Sequence, residues 1–397
     1  MKAVILAAGE GTRMRPLTEK TPKPLLKVAG KPIIEHNIEN IEDEVEEIII
    51  IGCYLSEQLR ERYSDREDIT IVEQEEALGT ADAALKARDL VGDNTVIMNG
   101  DDIYGEALKN LSDVGKAMLV AESEEPENYG VFELDGDKIV GIEEKPSNPP
   151  SNLVNIGCMK VCSDFFDILE KVEKSERGEY EITDAMQEYL EKNDVEFVKT
   201  DIWKPCSYPW QLVEANRDIM EETAARSIEG EVADSAVIEG DVVVEKGAEI
   251  KPFTVIEGPA VISRGCEVGP HAYIRPGTFL GENVKVGRSE VKNSVVCKDS
   301  GVPHFNYVGD SYLAERVNLG AGTKTANLRN DGKKVRMMVK DELLETGRKK
   351  LGCVIAPDSK IGVNCSINPG IKIGSDVKTD SNLKIGRNVE KGKVLKR

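Results

Sequence analysis

The sequence predicts an α/β domain built on a parallel sheet, followed by a solenoid of six-residue repeats, and three observations carry that prediction. Through about residue 220, short apolar runs alternate with amphipathic stretches, the rhythm of βαβ units with helices on both faces of a sheet. After Gly230, aliphatic residues recur at every sixth position, at Val232, Ile238, Val244, Ile250, Ile256, Ile262, Val268, Ile274, Leu280 and Val286, and again at Ile355, Ile361, Ile367 and Ile373. The third observation is LAAGEGTRMRPLTEKTPKPLL, residues 6–26, in which a buried-strand pattern runs into a glycine turn and then into cations. The expected domains are 1–225 and 226–397.

Taken in order, AVILAA reads as the first strand, PIIEHNIENI as a helix and EEIIIIG as a second strand. A helix near 56–62, the strand ITIVEQ, the helix TADAALKARDLV and the strand TVIMNG follow. Ligands of such sheets bind at the carboxyl ends of the strands, where Gly9 and Gly11 lie. Their backbone N–H groups can face anionic oxygens with no Cβ in the way, and Arg13 and Lys23 add positive charge. The segment lacks the Gly-Lys-Ser/Thr of a Walker A loop, and Met14 replaces the third glycine of a dinucleotide fingerprint. Lys31, Glu35 and His36 read as surface charge on the following helix.

A six-residue period fits a triangular coil in which each flat face uses one hexad and every aliphatic side chain points to the axis. This resembles the left-handed parallel β-helix of the hexapeptide-repeat proteins. Gly and Asn flank the aliphatic positions and suit tight corners, and His271 in GPHAY reads as structural at one of them. The register is expected to break between Val291 and Leu351, with the interruption forming loops on the solenoid surface.

The chain has 397 residues, 40% of them hydrophobic, enough for two cores. Its net charge of −20 argues against nucleic acid or an anionic membrane as partner, so a phosphate site must be a local basic island. Eight cysteines without a CxxC pair suit a reducing compartment. The apolar start MKAVILAA is too short for a signal sequence and no membrane-length apolar run follows. The expectation is a soluble, cytoplasmic protein.

The segment LAAGEGTRMRPLT…KPLL resembles the sugar-1-phosphate nucleotidyltransferases, a likeness that extends over most of residues 1–220 and implies a Rossmann-like nucleotidyltransferase domain. It implies that Gly9, Gly11 and Thr12 hold the nucleotide phosphates, that Arg13 grips the leaving pyrophosphate, and that Lys23 stabilises charge at the reacting phosphoryl group. Phosphoryl transfer needs positioning and cations more than covalent help. By the same likeness, Gln74, Gly79 and Thr80 of QEEALGTADA meet a uracil or thymine base, and Asp101 of NGDDIY holds Mg²⁺, with Asp102 its solvated neighbour. The sugar phosphate falls to Gly130, Glu144, Lys145, Asn155 and Gly157, with Glu179 and Thr183 close by. One position departs from the family pattern: Pro205 stands where relatives carry a second metal-binding carboxylate. Either Asp201 substitutes, as residues 201, 203 and 205 would share a strand face, or the metal relies on Asp101, waters and phosphate, or nucleotidyl transfer is weakened or absent.

The repeat region carries RPGTFLG, EVKN, PHFNYVGD, VNLGAGTKTAN and NDGKK in that order, resembling the acetyltransferase half of the bifunctional enzymes that make UDP-N-acetylglucosamine. That likeness covers about 270–370. It implies acetyl-CoA as co-substrate, His304 as the base that deprotonates an attacking amine, and Tyr307, Asn318 and Asn327 as substrate contacts. Arg275, Lys292 and Lys333 would take the sugar phosphate, and Ala321, in the Gly320–Gly322 turn, acetyl-CoA. Lys333 and Lys334 are not distinguished by the spacing. Such solenoids associate as trimers, so the expected partners are UTP or dTTP, a sugar 1-phosphate, acetyl-CoA and two further copies of the chain. The leading reading is N-acetylation of glucosamine 1-phosphate followed by uridylyl or thymidylyl transfer. The alternatives are a glucose-1-phosphate thymidylyltransferase-type enzyme with a scaffold solenoid, and a non-catalytic exchange-factor subunit.

Overall fold

In the computed structural model, which describes residues 1–175 and 178–397, the first apolar run forms the strand Lys2–Ala7, paired in parallel with Glu47–Gly52 on one side and Thr95–Asn99 on the other. Ile69–Glu73 extends the parallel set. The full sheet has nine strands, in the order, by first residue, 69-47-2-95-153-117-195-138-130. Its second half departs from the parallel expectation. Leu153–Val161 runs antiparallel to both Thr95–Asn99 and Ala117–Glu122, and Gly130–Asp135 turns back on Lys138–Glu144 as a hairpin. The cause is local: Gly136 takes φ 63° at the first position of the two-residue turn Gly136-Asp137 that links the two strands, and such a turn favours a hairpin over a crossover helix.

Alternate residues of the central strands feed two cores. Val4, Ile49, Ile51 and Ile97 pack with the helices Asp164–Leu169 and Ile182–Lys192, while Ala3, Ile5, Ile48 and Ile50 pack with the helix Ile33–Ile41. This is the two-faced burial expected of a strand covered by helices on both sides, each fully buried isoleucine contributing about 1.5–3 kcal/mol. Lys31 lies in the short strand Lys31–Pro32 rather than on the helix.

The repeat region is a stack of short parallel strands, in keeping with a left-handed β-helix. Val237, Val255 and Tyr273 are in register, as are Glu231, Glu249 and Glu267, so one coil takes three hexads. The period of six breaks at Val291 as expected, but the coil runs on through the break. Val291, Val296, Val302, Val308, Leu313 and Leu319 are buried in the same axial core as Val286, and Thr325 continues the series fully buried. Three five-residue steps, Val286 to Val291, Val291 to Val296 and Val308 to Leu313, shift the phase of the period without ending it. The true insertion separates Leu313 from its register partner Ile355 and contains a hairpin of Arg336–Val339 and Glu342–Glu345. GVPHFNYVG is therefore a strand of the solenoid wall, Gly301–Gly309, and not a surface loop.

The chain divides into two compact units. One comprises Met1–Glu10, Pro22–Leu25 and Ile33–Pro205; the other comprises Gly11–Thr21, Leu26–Pro32 and Cys206–Arg397. Within the second unit the buried Asn216, on the helix Pro209–Thr223, accepts from the Ala29 N–H at 3.0 Å and donates to the Gly277 carbonyl at 3.1 Å. All eight cysteines are free thiols. No helix among the described residues is long and apolar enough to cross a membrane.

Candidate active sites

Gly11 adopts the left-handed conformation, φ 60° and ψ 37°, ahead of the 3-10 turn Thr12–Met14. Its carbonyl accepts from the Met14 N–H at 2.9 Å and from Thr18 Oγ1 at 2.9 Å, which fixes the turn from within. A β-carbon on Gly9 would meet nothing within 4 Å, so the space over this backbone is open. Thr12 heads the turn and is half-buried. The exposed Arg13 places its guanidinium 6.0 Å from the centre of the Tyr208 ring, which stacks on Trp210. Lys23 is buried and forms an ion pair with Asp101.

Asp101 lies in the turn after Thr95–Asn99. The next residues are clamped by the buried Asn37, whose Nδ2 donates to the Asp102 carbonyl at 2.7 Å and whose Oδ1 accepts from the Tyr104 N–H at 3.2 Å. Asp102, expected in solvent, is buried. It pairs in register with Pro205 across a two-stranded ribbon, and Trp203 Nε1 approaches its carboxylate at 3.4 Å. Asp201 is exposed on a bend; the strand holds only Lys204 and Pro205, so the pleat that would align 201 with 205 is absent. Among the described residues no group of three or more His, Cys, Asp and Glu side chains is placed to hold a metal. Asp101, paired with Lys23, is a donor that fits an ion keeping most of its water and phosphate ligands, as magnesium does.

Gln74 is buried, and its Nε2 donates to Asp82 Oδ2 at 2.7 Å and to the Gly79 carbonyl at 3.3 Å. The donor expected to read a base is thus turned toward the chain. Gly79, at φ 125°, leaves no room for a side chain, as a β-carbon would lie 2.3 Å from the Tyr180 carbonyl. Thr80 Oγ1 accepts from the Ile182 N–H at 3.0 Å, and Thr183 follows on that helix while Glu179 is exposed. Gly130 and Glu144 are cross-strand partners, and a β-carbon on Gly130 would stand 3.1 Å from Glu144 Oε2 and 3.6 Å from Asn155 Cβ. The structure thus brings together Gly130, Glu144 and Asn155, with Lys145 Nζ 3.9 Å from Glu144. Asn99, which sequence reasoning passed over, packs so closely on Gly157 that a β-carbon there would lie 2.0 Å from its amide nitrogen.

On the solenoid, Glu290 is flanked in register by Tyr273 and Tyr307. Arg275 Nη1 pairs with Glu290 at 3.0 Å; that hydrogen bond raises the guanidinium pKa above its ordinary value, while its Nε is buried without a partner. Burial likewise raises the Tyr307 phenol. Tyr307 OH accepts from Asn327 Nδ2 at 3.1 Å. Asp310, 6% exposed, receives Lys292 at 3.1 Å, Asn293 Nδ2 at 2.8 Å and Asn327. One carboxylate therefore gathers three of these side chains, a role signalled only by its place in PHFNYVGD. Lys292, Asn293 and Asp310 border a cavity of about 310 Å³ that Trp210, Arg348 and Lys350 also line. His304 is exposed, in register with Arg288, and its carbonyl accepts from the Gly322 N–H at 2.8 Å, which sets the Gly320–Gly322 turn and Ala321 beside it. Asn318 is exposed one coil on, opposite Gly301. Lys333 stands apart from the cluster: it is exposed on the insertion, its backbone N–H on Asp331 at 3.2 Å.

A family model described as Nucleotidyl transferase matches residues 2–222. The chain is 44% identical to a protein of Methanococcus aeolicus named Bifunctional protein GlmU, over 91% of this chain and 89% of that one. It is 39% identical to a Sulfurisphaera tokodaii protein named Bifunctional sugar-1-phosphate nucleotidylyltransferase/acetyltransferase, over 92% of each. Among solved structures, a putative glucose-1-phosphate thymidylyltransferase from Bacillus anthracis, in complex with a sucrose, superposes with a TM-score of 0.51 at 29% identity, covering 54% of this chain and 94% of that one.

Proposed function

The chain belongs to the nucleotidyl transferase family and, over 91% of its length, is kin to the bifunctional GlmU proteins, and from that premise we propose a two-site enzyme of sugar phosphates. Residues 226–397 transfer acetyl from acetyl-CoA to the amine of glucosamine 1-phosphate. Residues 1–225 transfer UMP or dTMP from the nucleoside triphosphate to the acetylated sugar 1-phosphate and release pyrophosphate, in the cytoplasm.

In the first reaction the amine nitrogen attacks the thioester carbonyl, its proton passes to the His304 imidazole, and the C–S bond breaks to release CoA. Tyr307, Asn318 and Asn327 hold the sugar. Arg275 and Lys292 take its phosphate, and the orphaned Arg275 Nε is the donor such an anion would satisfy. Lys333, on the insertion, is assigned to the same phosphate, and Ala321 with its glycine neighbours offers backbone N–H groups to the thioester oxygen. In the second reaction a phosphate oxygen of the sugar attacks the α-phosphorus and the bond to the β-phosphate breaks. Gly9, Gly11 and Thr12 cradle the triphosphate, Arg13 holds the departing pyrophosphate, and Lys23 faces the reacting phosphoryl group. Gln74, Gly79 and Thr80 are assigned to the base, Gln74 through the amide oxygen that Asp82 does not engage. Gly130, Glu144, Lys145 and Asn155 are assigned to the sugar phosphate. Asp101 would hold Mg²⁺, which when bound neutralises phosphate charge.

The observation that carries the acetyl-transfer half is the gathering of Lys292, Asn327 and Asn293 on the buried Asp310, a rigid polar wall that a mere oligomerisation scaffold has no need of. The test is CoA release from acetyl-CoA and glucosamine 1-phosphate by the full chain and by His304→Ala. A fall of about 10²–10⁴-fold is expected for loss of a general base; equal release by the two proteins removes His304 from the reaction. If the wild-type chain forms pyrophosphate from N-acetylglucosamine 1-phosphate and UTP or dTTP but releases no CoA, the scaffold reading takes its place.

A further inference from the structure

The segment that follows the glycine turn is gripped by the far end of the β-helix. Lys20 Nζ lies 2.7 Å from Asp358 and 2.8 Å from Asp376. Glu19 Oε2 accepts from the Ser375 N–H at 2.8 Å, and Lys372 Nζ donates to the Arg15 carbonyl at 2.9 Å. Three residues of the segment 15–20 are thus met by residues from two successive coils.

The corner chemistry is unusual in a way that the solenoid alone does not require. Asn283, Asp299, Arg316, Asp358 and Asp376 all take positive φ, and the backbone N–H of each of the last four bonds to the coil before it. Asparagine serves such a left-handed corner without charge. Aspartate at both 358 and 376 instead stacks like charges on neighbouring coils, roughly 5 Å apart, which is unfavourable without a cation between them. Lys20 is that cation, and Arg316 Nε also pairs with Asp358 at 2.6 Å. The grip has a direct path to the turn: Thr18 Oγ1, two residues before Lys20, donates to the Gly11 carbonyl at 2.9 Å.

We propose that Lys20, Asp358 and Asp376 are positioning residues for nucleotidyl transfer, and that the last coils of the β-helix fix the glycine turn in its triphosphate-binding shape. The proposal rests on the assignment of Gly11–Arg13 to the nucleotide. The β-helix is then a working part of the first active site as well as the frame of the second, through pairs 338 and 356 residues apart in sequence. None of the three residues touches the nucleotide in this scheme. Their effect is therefore on triphosphate affinity and orientation, not on the chemistry of the sugar.

The test uses the full chain and three variants, Lys20→Met, Lys20→Arg and the double variant Asp358→Asn/Asp376→Asn. Pyrophosphate release is followed while the triphosphate is varied, and CoA release from acetyl-CoA and glucosamine 1-phosphate is followed in parallel. Lys20→Met and the double variant are expected to raise the triphosphate KM about tenfold with kcat within about threefold, Lys20→Arg to stay near wild type, and CoA release to be unchanged. A triphosphate KM within twofold of wild type in both disrupting variants overturns the proposal, as does a parallel fall of both activities, which reports general destabilisation. Hydrogen exchange at the amides of Gly11–Met14 gives a readout independent of activity: faster exchange in Lys20→Met supports the grip, and unchanged exchange overturns it. If the wild-type chain forms no pyrophosphate with either triphosphate, the assignment of the first site fails, and the exchange measurement still decides whether the coils hold the turn.

Discussion

Gly9 and Gly79 are both assigned to the nucleotide in the proposal, and they ask opposite things of a substitution. At Gly9 a β-carbon has open space within 4 Å, so Gly9→Ala is expected to leave stability within about 0.5 kcal/mol of wild type while raising the triphosphate KM, because the new methyl occupies the surface the phosphates approach. At Gly79, φ 125° and a β-carbon 2.3 Å from the Tyr180 carbonyl make alanine a strained residue in contact with backbone. A loss of roughly 1–3 kcal/mol or more is expected there, read as a lower urea midpoint. The two midpoints and the two KM values separate a binding glycine from a folding one. Motif residues of this kind stand out in the sequence because glycine, lysine and aspartate in that order have few uses besides phosphate chemistry. Asp102 does not, since Asn37 and Trp203, the partners that bury it, lie 65 and 101 residues away. Gln74 was read for its carboxamide, but the choice between Asp82 and a base depends on a rotamer that composition does not encode.

The parallel half of the sheet and the coil period could be read directly, because each rests on short-range repetition of apolar residues. The hairpin of Gly130–Asp135 and Lys138–Glu144 had its signal in Gly136-Asp137, and the longer βαβ rhythm concealed it. The solenoid register was followed as far as Val286 and then lost, since a corner can shed one residue while the stacked strands stay in register, so a fixed period of six loses phase. Each axial residue should count alike. Ile262→Ala, at a fully buried position, is expected to cost about 2–5 kcal/mol and to lower the thermal midpoint of the repeat region. The acid limit of these coils has a definite sign. The hydrogen bond from Arg316, followed by that from Lys20, holds the Asp358 carboxyl down at about 2. A depressed carboxylate stabilises the fold above its unfolded pKa, near 4, and that contribution is lost as pH falls toward 2. Wild type should show this loss by circular dichroism between about pH 4 and pH 2, and Asp358→Asn should lack it.

At the scale of the molecule, a net charge of −20 means that any phosphate site is a local basic island on an acidic surface. Binding of UTP or of a sugar phosphate should therefore weaken with added salt, while duplex DNA should not bind at any physiological ionic strength. If the β-helix assembles three copies, light scattering will give three times the chain mass of 43.6 kDa, or about 131 kDa, and a monomer mass would remove the trimer from the proposal. The pairing of Lys20 with Asp376 also carries a consequence for how the protein is made. Synthesis is vectorial, at about 5–20 residues per second, and the 356 residues that separate the two partners put roughly 20–70 s between their appearance at the ribosome. The sheet around Lys2–Ala7 has its parallel neighbours early, whereas the glycine turn must wait for the last coils to emerge. The first motif in the message is among the last parts of the enzyme to be completed, and a chain arrested before Asp358 would carry a nucleotide loop without its anchor.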